Sequence, residues 1–158
     1  GTAALNSGRQ SGKGLEFESK WNATDSISLS GNYAWQDAED KTMNADVPNA
    51  AQQQLYLTAA WQLSDHLTLS GVLNYVADRQ RVDGDTREDI DDNKTLDLVL
   101  RSHRAIRGLD VSLIARNVLD SDVREPSTGQ FPAMPEMPDD YPLDGRSINL
   151  SFEYHFDR

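Results

Sequence analysis

Apolar side chains recur at every second position along most of this chain, and the 3.6-residue spacing of an amphipathic helix is nearly absent. Period 2 sends alternate side chains to opposite faces of a strand, so the fold class is all-β. Leu15, Phe17 and Trp21 alternate with Glu16, Glu18, Lys20 and Asn22, after a glycine-rich stretch holding Gly8, Gly12 and Gly14 and a partial strand expected from Ala3 to Asn6. Ile27, Leu29, Gly31, Tyr33 and Trp35 then share one parity, as do Leu55, Leu57, Ala59, Trp61 and Leu63. Further strands are read at Leu67 to Ala77, Thr95 to His103, Leu109 to Arg116 and Ile148 to Phe156.

The connections alternate between short and long. Ala23 to Asp25, Ser64 to His66 and Ala105 to Gly108 are tight breaks, whereas Val82 to Asn93 is a long acidic stretch and a Pro-rich loop carries Pro126, Pro132, Pro135, Pro138 and Pro142. Strict alternation of short turns and long loops marks an up-and-down transmembrane barrel with periplasmic turns and extracellular loops. The aromatic residues agree. Trp21 and Trp61 sit near short-turn ends of their strands, Trp35, Tyr33 and Tyr75 near long-loop ends, and Phe152, Tyr154 and Phe156 mark the closing strand, so two girdles are expected. The reading is an antiparallel, up-and-down transmembrane β-barrel segment of about seven to eight strands, apolar side to lipid and polar side to a wet lumen.

Composition fits this once the period is known. The mean hydropathy of -0.65 and the lack of a long apolar run exclude spanning helices, but half of every barrel strand is polar anyway. A formal net charge of -11 argues against nucleic acid as a partner, because phosphates would be repelled. With no Cys, thiolate metal sites and thiol nucleophiles are excluded. The chain starts at Gly1 with no leader pattern, which reads as a fragment.

Three segments carry a resemblance. Ala115-Arg116-Asn117-Val118-Leu119-Asp120 resembles the Asn-Leu-Phe-Asp strand end of TonB-dependent outer-membrane receptors, Asp140-Tyr141-Pro142-Leu143-Asp144-Gly145-Arg146-Ser147 their Pro-x-x-Gly-Arg approach to the last strand, and Phe152-Glu153-Tyr154-His155-Phe156 their closing aromatic strand. Gly14 to Glu18 and Tyr33 to Ala38 extend the similarity upstream. Departures are Val118-Leu119 for the commoner Leu-Phe, Asp144 before Gly-Arg, and Asp157 and Arg158 beyond the aromatic end. The resemblance implies that residues 1–158 are a C-terminal fragment of a plugged barrel of about 22 strands. It also implies a Gram-negative outer-membrane location and import of a scarce nutrient, foremost an iron-siderophore complex, with energy from TonB. The implied partners are outer-membrane lipid, the absent N-terminal strands and plug domain, TonB acting through that plug, and the barrel-assembly machinery.

The remaining motifs are read conservatively. The segment from Asp83 to Asn93 fails the calcium-loop pattern, with Arg87 and Glu88 at positions that need a ligand and a glycine, and is expected to be a solvated loop that binds divalent cations loosely if at all. His66, His103 and His155 show no common metal spacing, so no metal site and no cofactor is expected. No phosphate loop, nucleophile elbow or zinc-protease helix is present, and no enzyme is expected. Asp97, Arg101, Asp110, Arg116 and Glu153 share the polar parity of neighbouring strands and are expected to form a charge ladder on the lumen wall. Tyr141 and Arg146 are weak candidates for ligand contact, with loop anchoring the favoured role. Two rivals stand: a complete eight-stranded barrel with an adhesion or structural role, which requires first and last strands to pair, and a soluble ligand-binding barrel, which requires Leu15, Trp21, Leu57, Trp61 and Leu150 in a protein core.

Overall fold

The computed structural model describes residues 8–82, 84–106, 108–127, 129–130, 134–135 and 137–156. In chain order the strands are β1 (Gln10–Asn22), β2 (Ile27–Asp40), the short β3 (Ala45–Asp46), β4 (Ala51–Ser64), β5 (Leu67–Arg79), β6 (Asn93–Ile106) and β7 (Leu109–Arg116). Four two-residue strands follow in the Pro-rich loop, β8 (Arg124–Glu125), β9 (Gly129–Gln130), β10 (Met134–Pro135) and β11 (Tyr141–Pro142), before β12 (Ser147–Tyr154) closes the series. The long strands pair antiparallel with their sequence neighbours in the order β1-β2-β4-β5-β6-β7-β12, a meander with no crossover, and β3 hangs on β2. No described residue is helical.

Register turns the alternation into two faces. Trp21 pairs with Leu29, which pairs with Ala59, which pairs with Gly71, which pairs with Leu98, and Leu98 pairs with Ala115. Lys20, Ser30, Thr58, Val72, Asp97 make the equivalent row on the other face. One face is a continuous aliphatic and aromatic wall and the other is mostly polar. The sheet is a single layer, so no large side chain of the described residues is fully buried, and the buried apolar positions are Ala51, Ala77, Ile90 and Val123. Leu15, Trp21, Leu57, Trp61 and Leu150 are between 40% and 76% exposed, which overturns the soluble-core rival. β1 and β12 each have one partner and do not pair with each other, so the closure required of a complete small barrel is not seen.

The alternation of connections holds among the described residues: those joining β1 to β2, β4 to β5 and β6 to β7 lie at one end of the sheet, and those joining β2 to β4, β5 to β6 and β7 to β12 at the other. Several boundaries are corrected. The glycine-rich stretch through Gly12 and Gly14 is part of β1, and a Cβ at Gly14 would lie 2.7 Å from the Trp35 carbonyl oxygen, so glycine there permits close strand approach. β6 continues past Ala105 to Ile106, which pairs with Leu109 across a two-residue connection. β12 ends at Tyr154, leaving His155 and Phe156 beyond the strand. The partial strand expected from Ala3 to Asn6, Pro132, and the extension Asp157-Arg158 lie outside the described residues.

Candidate functional site

The long-loop end is held by arginines. Arg81 sends Nη1 and Nη2 to the two carboxylate oxygens of Asp140 at 3.0 and 2.5 Å, the bidentate geometry that a planar guanidinium favours. Arg87 bonds Asp140 Oδ1 through Nη1 at 2.8 Å and Asp85 through Nη2 at 2.6 Å. The Ser127 backbone N–H also donates to Asp140 Oδ1, at 3.0 Å. Asp140 and Asp85 side chains are only 8% and 2% exposed. Hydrogen bonds from Arg81, then the Ser127 N–H and the charges of Arg81 and Arg87, hold the Asp140 carboxyl far below the usual carboxylate range. The Arg87 side chain, followed by its backbone N–H, lowers Asp85 in the same sense. Beside them, buried Arg79 donates from Nη1 to Glu125 at 3.0 Å and from Nη2 to the Arg124 carbonyl at 3.0 Å. Loop 80–92 and loop 117–146 are thus clasped together, and the Asn49 N–H to the Gln80 carbonyl, 2.7 Å, ties in the connection after β2. The acidic stretch is therefore more than a solvated loop: the Asp85 side chain is shielded from water and its carboxylate is taken by arginine.

A cleft of about 540 Å³ opens beside the clasp, lined by Arg81, Glu88, Asp91, Asp122, Arg124 and Asp139 among others. Tyr141 sits in the β11–β8 ladder opposite Glu125, half-buried, next to the clasped Asp140. Arg146 donates to Asp120 Oδ2 at 3.1 Å, joining the two roots of the longest loop. Asp120 belongs to the Asn117 turn. Asn117 and Asp120 adopt φ of 46° and 56°, conformations that Asn and Asp tolerate better than other side chains. The buried Asn117 side chain receives the Ser121 N–H at 3.1 Å and donates to the Ser121 carbonyl at 2.9 Å, while its backbone N–H reaches Asp97 at 2.9 Å. Two of the sequence segments singled out above therefore meet in space.

The aromatic residues fall as the alternation requires. Tyr33 and Tyr75 share a row through Leu55 and point their hydroxyls to Gln53 Oε1 and Asp92 Oδ2, both at 2.9 Å, near the long loops. Trp35, paired with Leu15, lies one row further toward the loops, and Trp21 and Trp61 lie in the half nearer the short turns. Phe152 pairs with Val111, and Tyr154 stacks edge-to-face on exposed Phe156 with centroids 4.8 Å apart. On this same apolar wall, Gly31, Ala59 and Gly71 leave a depression of about 750 Å³ rimmed by Trp21, Trp61, Leu57 and Leu98, a surface suited to acyl chains rather than a polar ligand.

The charge ladder forms in part. Arg101 Nη2 lies 3.3 Å from Asp110 Oδ2 and 3.2 Å from Glu153 Oε2, whereas Asp97 receives the Asn117 N–H and Arg116 pairs in register with Ser147. Two of the three histidines, His103 and His155, come together although their spacing gave no sign of it, and His66 does not join them through its side chain in any described contact. His103 Nδ1 and His155 Nε2 lie 3.5 and 3.6 Å from Asp110 Oδ2, and ligand-type atoms of Asp110, Glu153 and His155 all fall within 4.8 Å of one another. The arginine clasp, by contrast, carries no sequence signal beyond Arg81 and Arg87 flanking the acidic run, since their partner Asp140 stands in a different loop.

An open antiparallel meander with an apolar outer wall, a polar inner face, short turns at one end and clasped long loops at the other is the architecture of an outer-membrane barrel segment. The chain matches the family described as TonB dependent receptor-like, beta-barrel over residues 1–118, and it belongs to that family. No curated protein sequence matches it. A solved structure similar to it is that of the ferric-catecholate import receptor Fiu from E. coli K12 in a closed form, with a TM-score of 0.70 and 19% identity over 94% of this chain. That match covers 21% of the Fiu chain, so the present chain spans about a fifth of that receptor's length. The family is one of transport receptors, and its barrels lie in the Gram-negative outer membrane.

Proposed function

We propose that the chain is the C-terminal part of the barrel of an active-transport receptor that binds a scarce nutrient, foremost an iron-siderophore complex, and imports it with TonB-derived energy; it is not an enzyme. The observation that carries this reading is the family match over residues 1–118. The clasped loops and the 540 Å³ cleft beside them, in which Arg81, Arg87 and Arg124 alternate with carboxylates, are suited to form one side of an extracellular vestibule. Tyr141 positions that rim, and Arg146 acts chiefly as a loop anchor through Asp120. Trp21, Trp35, Trp61, Tyr75 and Tyr154 serve as interfacial belts, and Phe152 and Phe156 as part of the strand read by the barrel-assembly machinery.

The test is uptake of radiolabelled ferric catecholate by cells with and without the intact gene, and with TonB deleted. Accumulation that needs both supports the reading; accumulation unaffected by either deletion overturns the substrate class. Immunodetection in outer-membrane preparations should show a species several times the 17.6 kDa of this chain, and a band at that mass would overturn the fragment assignment.

A further inference from the structure

The short-turn end of the polar face gathers side chains that the transport reading does not use. Asp110 pairs in register with Glu153, and Ser102 with Val111, so His103 would come opposite Asp110 if the ladder ran on unbroken. The register instead shifts between Ser102 and Ile106, with Arg104 at φ 48°, a bulge of the kind that re-aims a side chain. Two backbone contacts fix it. The Arg104 N–H donates to Asp110 Oδ1 at 2.9 Å, and the His103 N–H donates to the His66 carbonyl at 2.7 Å. On the neighbouring strand the His155 N–H reaches the Gly108 carbonyl at 2.7 Å, which holds the chain just past β12 against the turn. With Oδ1 occupied, Asp110 presents Oδ2 to two imidazoles.

We propose that Asp110, Glu153, His155 and His103 bind a divalent metal ion of borderline softness, represented by Zn²⁺, at the short-turn mouth of the lumen face. The distances fit an ion better than hydrogen bonds. His103 Nδ1 to Asp110 Oδ2 is 3.5 Å, His155 Nε2 to Asp110 Oδ2 is 3.6 Å, and His155 Nε2 to Glu153 Oε1 is 3.9 Å, all longer than an N–H···O bond. Four ligands about 2.1 Å from a tetrahedral ion stand roughly 3.4 Å apart, so rotamer changes bring Asp110, Glu153 and His155, whose ligand atoms already lie within 4.8 Å of one another, onto one ion, and His103, 3.5 Å from Asp110 Oδ2, swings in as the fourth. Two imidazoles with two carboxylates select ions such as Zn²⁺ over Mg²⁺ or Ca²⁺, which take oxygen ligands. Arg101 is the competitor. Its Nη2 contacts Asp110 Oδ2 and Glu153 Oε2, and its Nε is buried without a partner. It neutralises the carboxylates when no ion is bound and must leave Asp110 Oδ2 on binding, whereas Glu153 ligates through Oε1 and keeps its Oε2 contact.

The experiment uses the full-length protein purified from outer membranes and stripped with chelator, titrated with Zn²⁺ by calorimetry and with Co²⁺ by visible absorption. One equivalent of Zn²⁺ and an intense tetrahedral Co²⁺ spectrum are expected. Since losing even an outer partner of a metal ligand weakens binding about 10- to 100-fold, Glu153→Gln and His155→Gln should each weaken it at least about tenfold. Both side chains are substantially exposed, which limits folding damage. Arg101→Gln should tighten binding, and His66→Gln, whose backbone carbonyl alone contributes, should match the wild type. If His155→Gln fails to assemble, His103→Gln supplies the same reading. Absence of stoichiometric binding by the wild type, unchanged affinity in the ligand variants, or weaker binding in Arg101→Gln overturns the proposal.

Discussion

Both ends of this sheet set a buried aspartate among nitrogen-bearing side chains, and they do it in opposite ways. At the long-loop end Asp140 takes both nitrogens of Arg81, one of Arg87 and the Ser127 N–H, all within 3.0 Å, and is nearly shielded from water. At the short-turn end Asp110 is just as buried, yet its Oδ2 meets Arg101 and two imidazoles at 3.3 to 3.6 Å. The first is a completed hydrogen-bond network, which locks loops; in the second Arg101 alone reaches Oδ2 with a hydrogen bond, and the imidazoles stand off at 3.5 and 3.6 Å. Ion-pair counts would rank the two alike, and the distances separate them.

The most damaging way to break the comparison is Asp140→Ala. Removing one member of a shielded ion network leaves Arg81 and Arg87 with Asp85 as their one shared carboxylate in the clasp, a cost of about 3 kcal/mol, so local opening of the loops should rise roughly a hundredfold. Hydrogen exchange at residues 80–92 and 122–143 should accelerate by that order while the β4 and β5 amides stay protected. Unchanged loop exchange would show that the clasp holds nothing. Acid reaches the same contact by titration. Because the folded-state pKa values of Asp140 and Asp85 are lowered, their contribution is complete above the unfolded value near 3.9 and is lost only as pH falls through the depressed values. Loop protection should therefore stay flat from pH 7 down to about 4, and a loss already at pH 5 would contradict the assignment.

A smaller effect separates the ends through backbone. Gly84 in the loop and Gly108 in the turn have φ of 87° and 73°, in the left-handed region. An added Cβ at Gly84 meets nothing within 4 Å, whereas at Gly108 it would stand 3.0 Å from the His155 carbonyl oxygen and 3.2 Å from the Tyr154 ring. Gly84→Ala is expected to cost about 1 kcal/mol from backbone strain alone, and Gly108→Ala about 2 kcal/mol, with crowding added. Heat-dependent gel mobility of the barrel reads the difference, and equal losses would remove the crowding term.

Much of the sheet could be read from the sequence because a single-layer wall leaves its parity uncovered: every Trp from Trp21 to Trp61 falls on the apolar face, and long and short connections fall at opposite ends. What escaped depends on register and on contacts between loops. His103, Asp110, Glu153 and His155 all share the polar parity, but it is the pairing of β6 with β7 and of β7 with β12 that brings them together, and no glycine or proline marks the bulge after Ser102. Arg81 and Asp140 are 59 residues apart in loops that carry no period, so no local pattern announces their bond. The glycines at positions 12 and 14 misled in the other direction, since both lie within β1, and Gly14 eases close strand approach rather than breaking the strand.

The weakest expected effect is also the one that decides a role. Arg146 and Asp120 join the roots of the longest loop at 3.1 Å, but their side chains are 53% and 56% exposed, so the pair sits outside the shielded network around Asp140. Exposed pairs contribute about 0.2 to 1 kcal/mol and are screened by salt. A double-mutant cycle of Arg146→Gln and Asp120→Asn should give a coupling in that range that fades in high salt, with the uptake half-saturation concentration unchanged. An anchor acts through its partner, so either single substitution should have the same small consequence as both together. If Arg146→Gln instead raises the half-saturation concentration severalfold while Asp120→Asn does not, the guanidinium is serving the ligand rather than the loop, because losing the loop contact is common to both variants and only the cationic side chain differs.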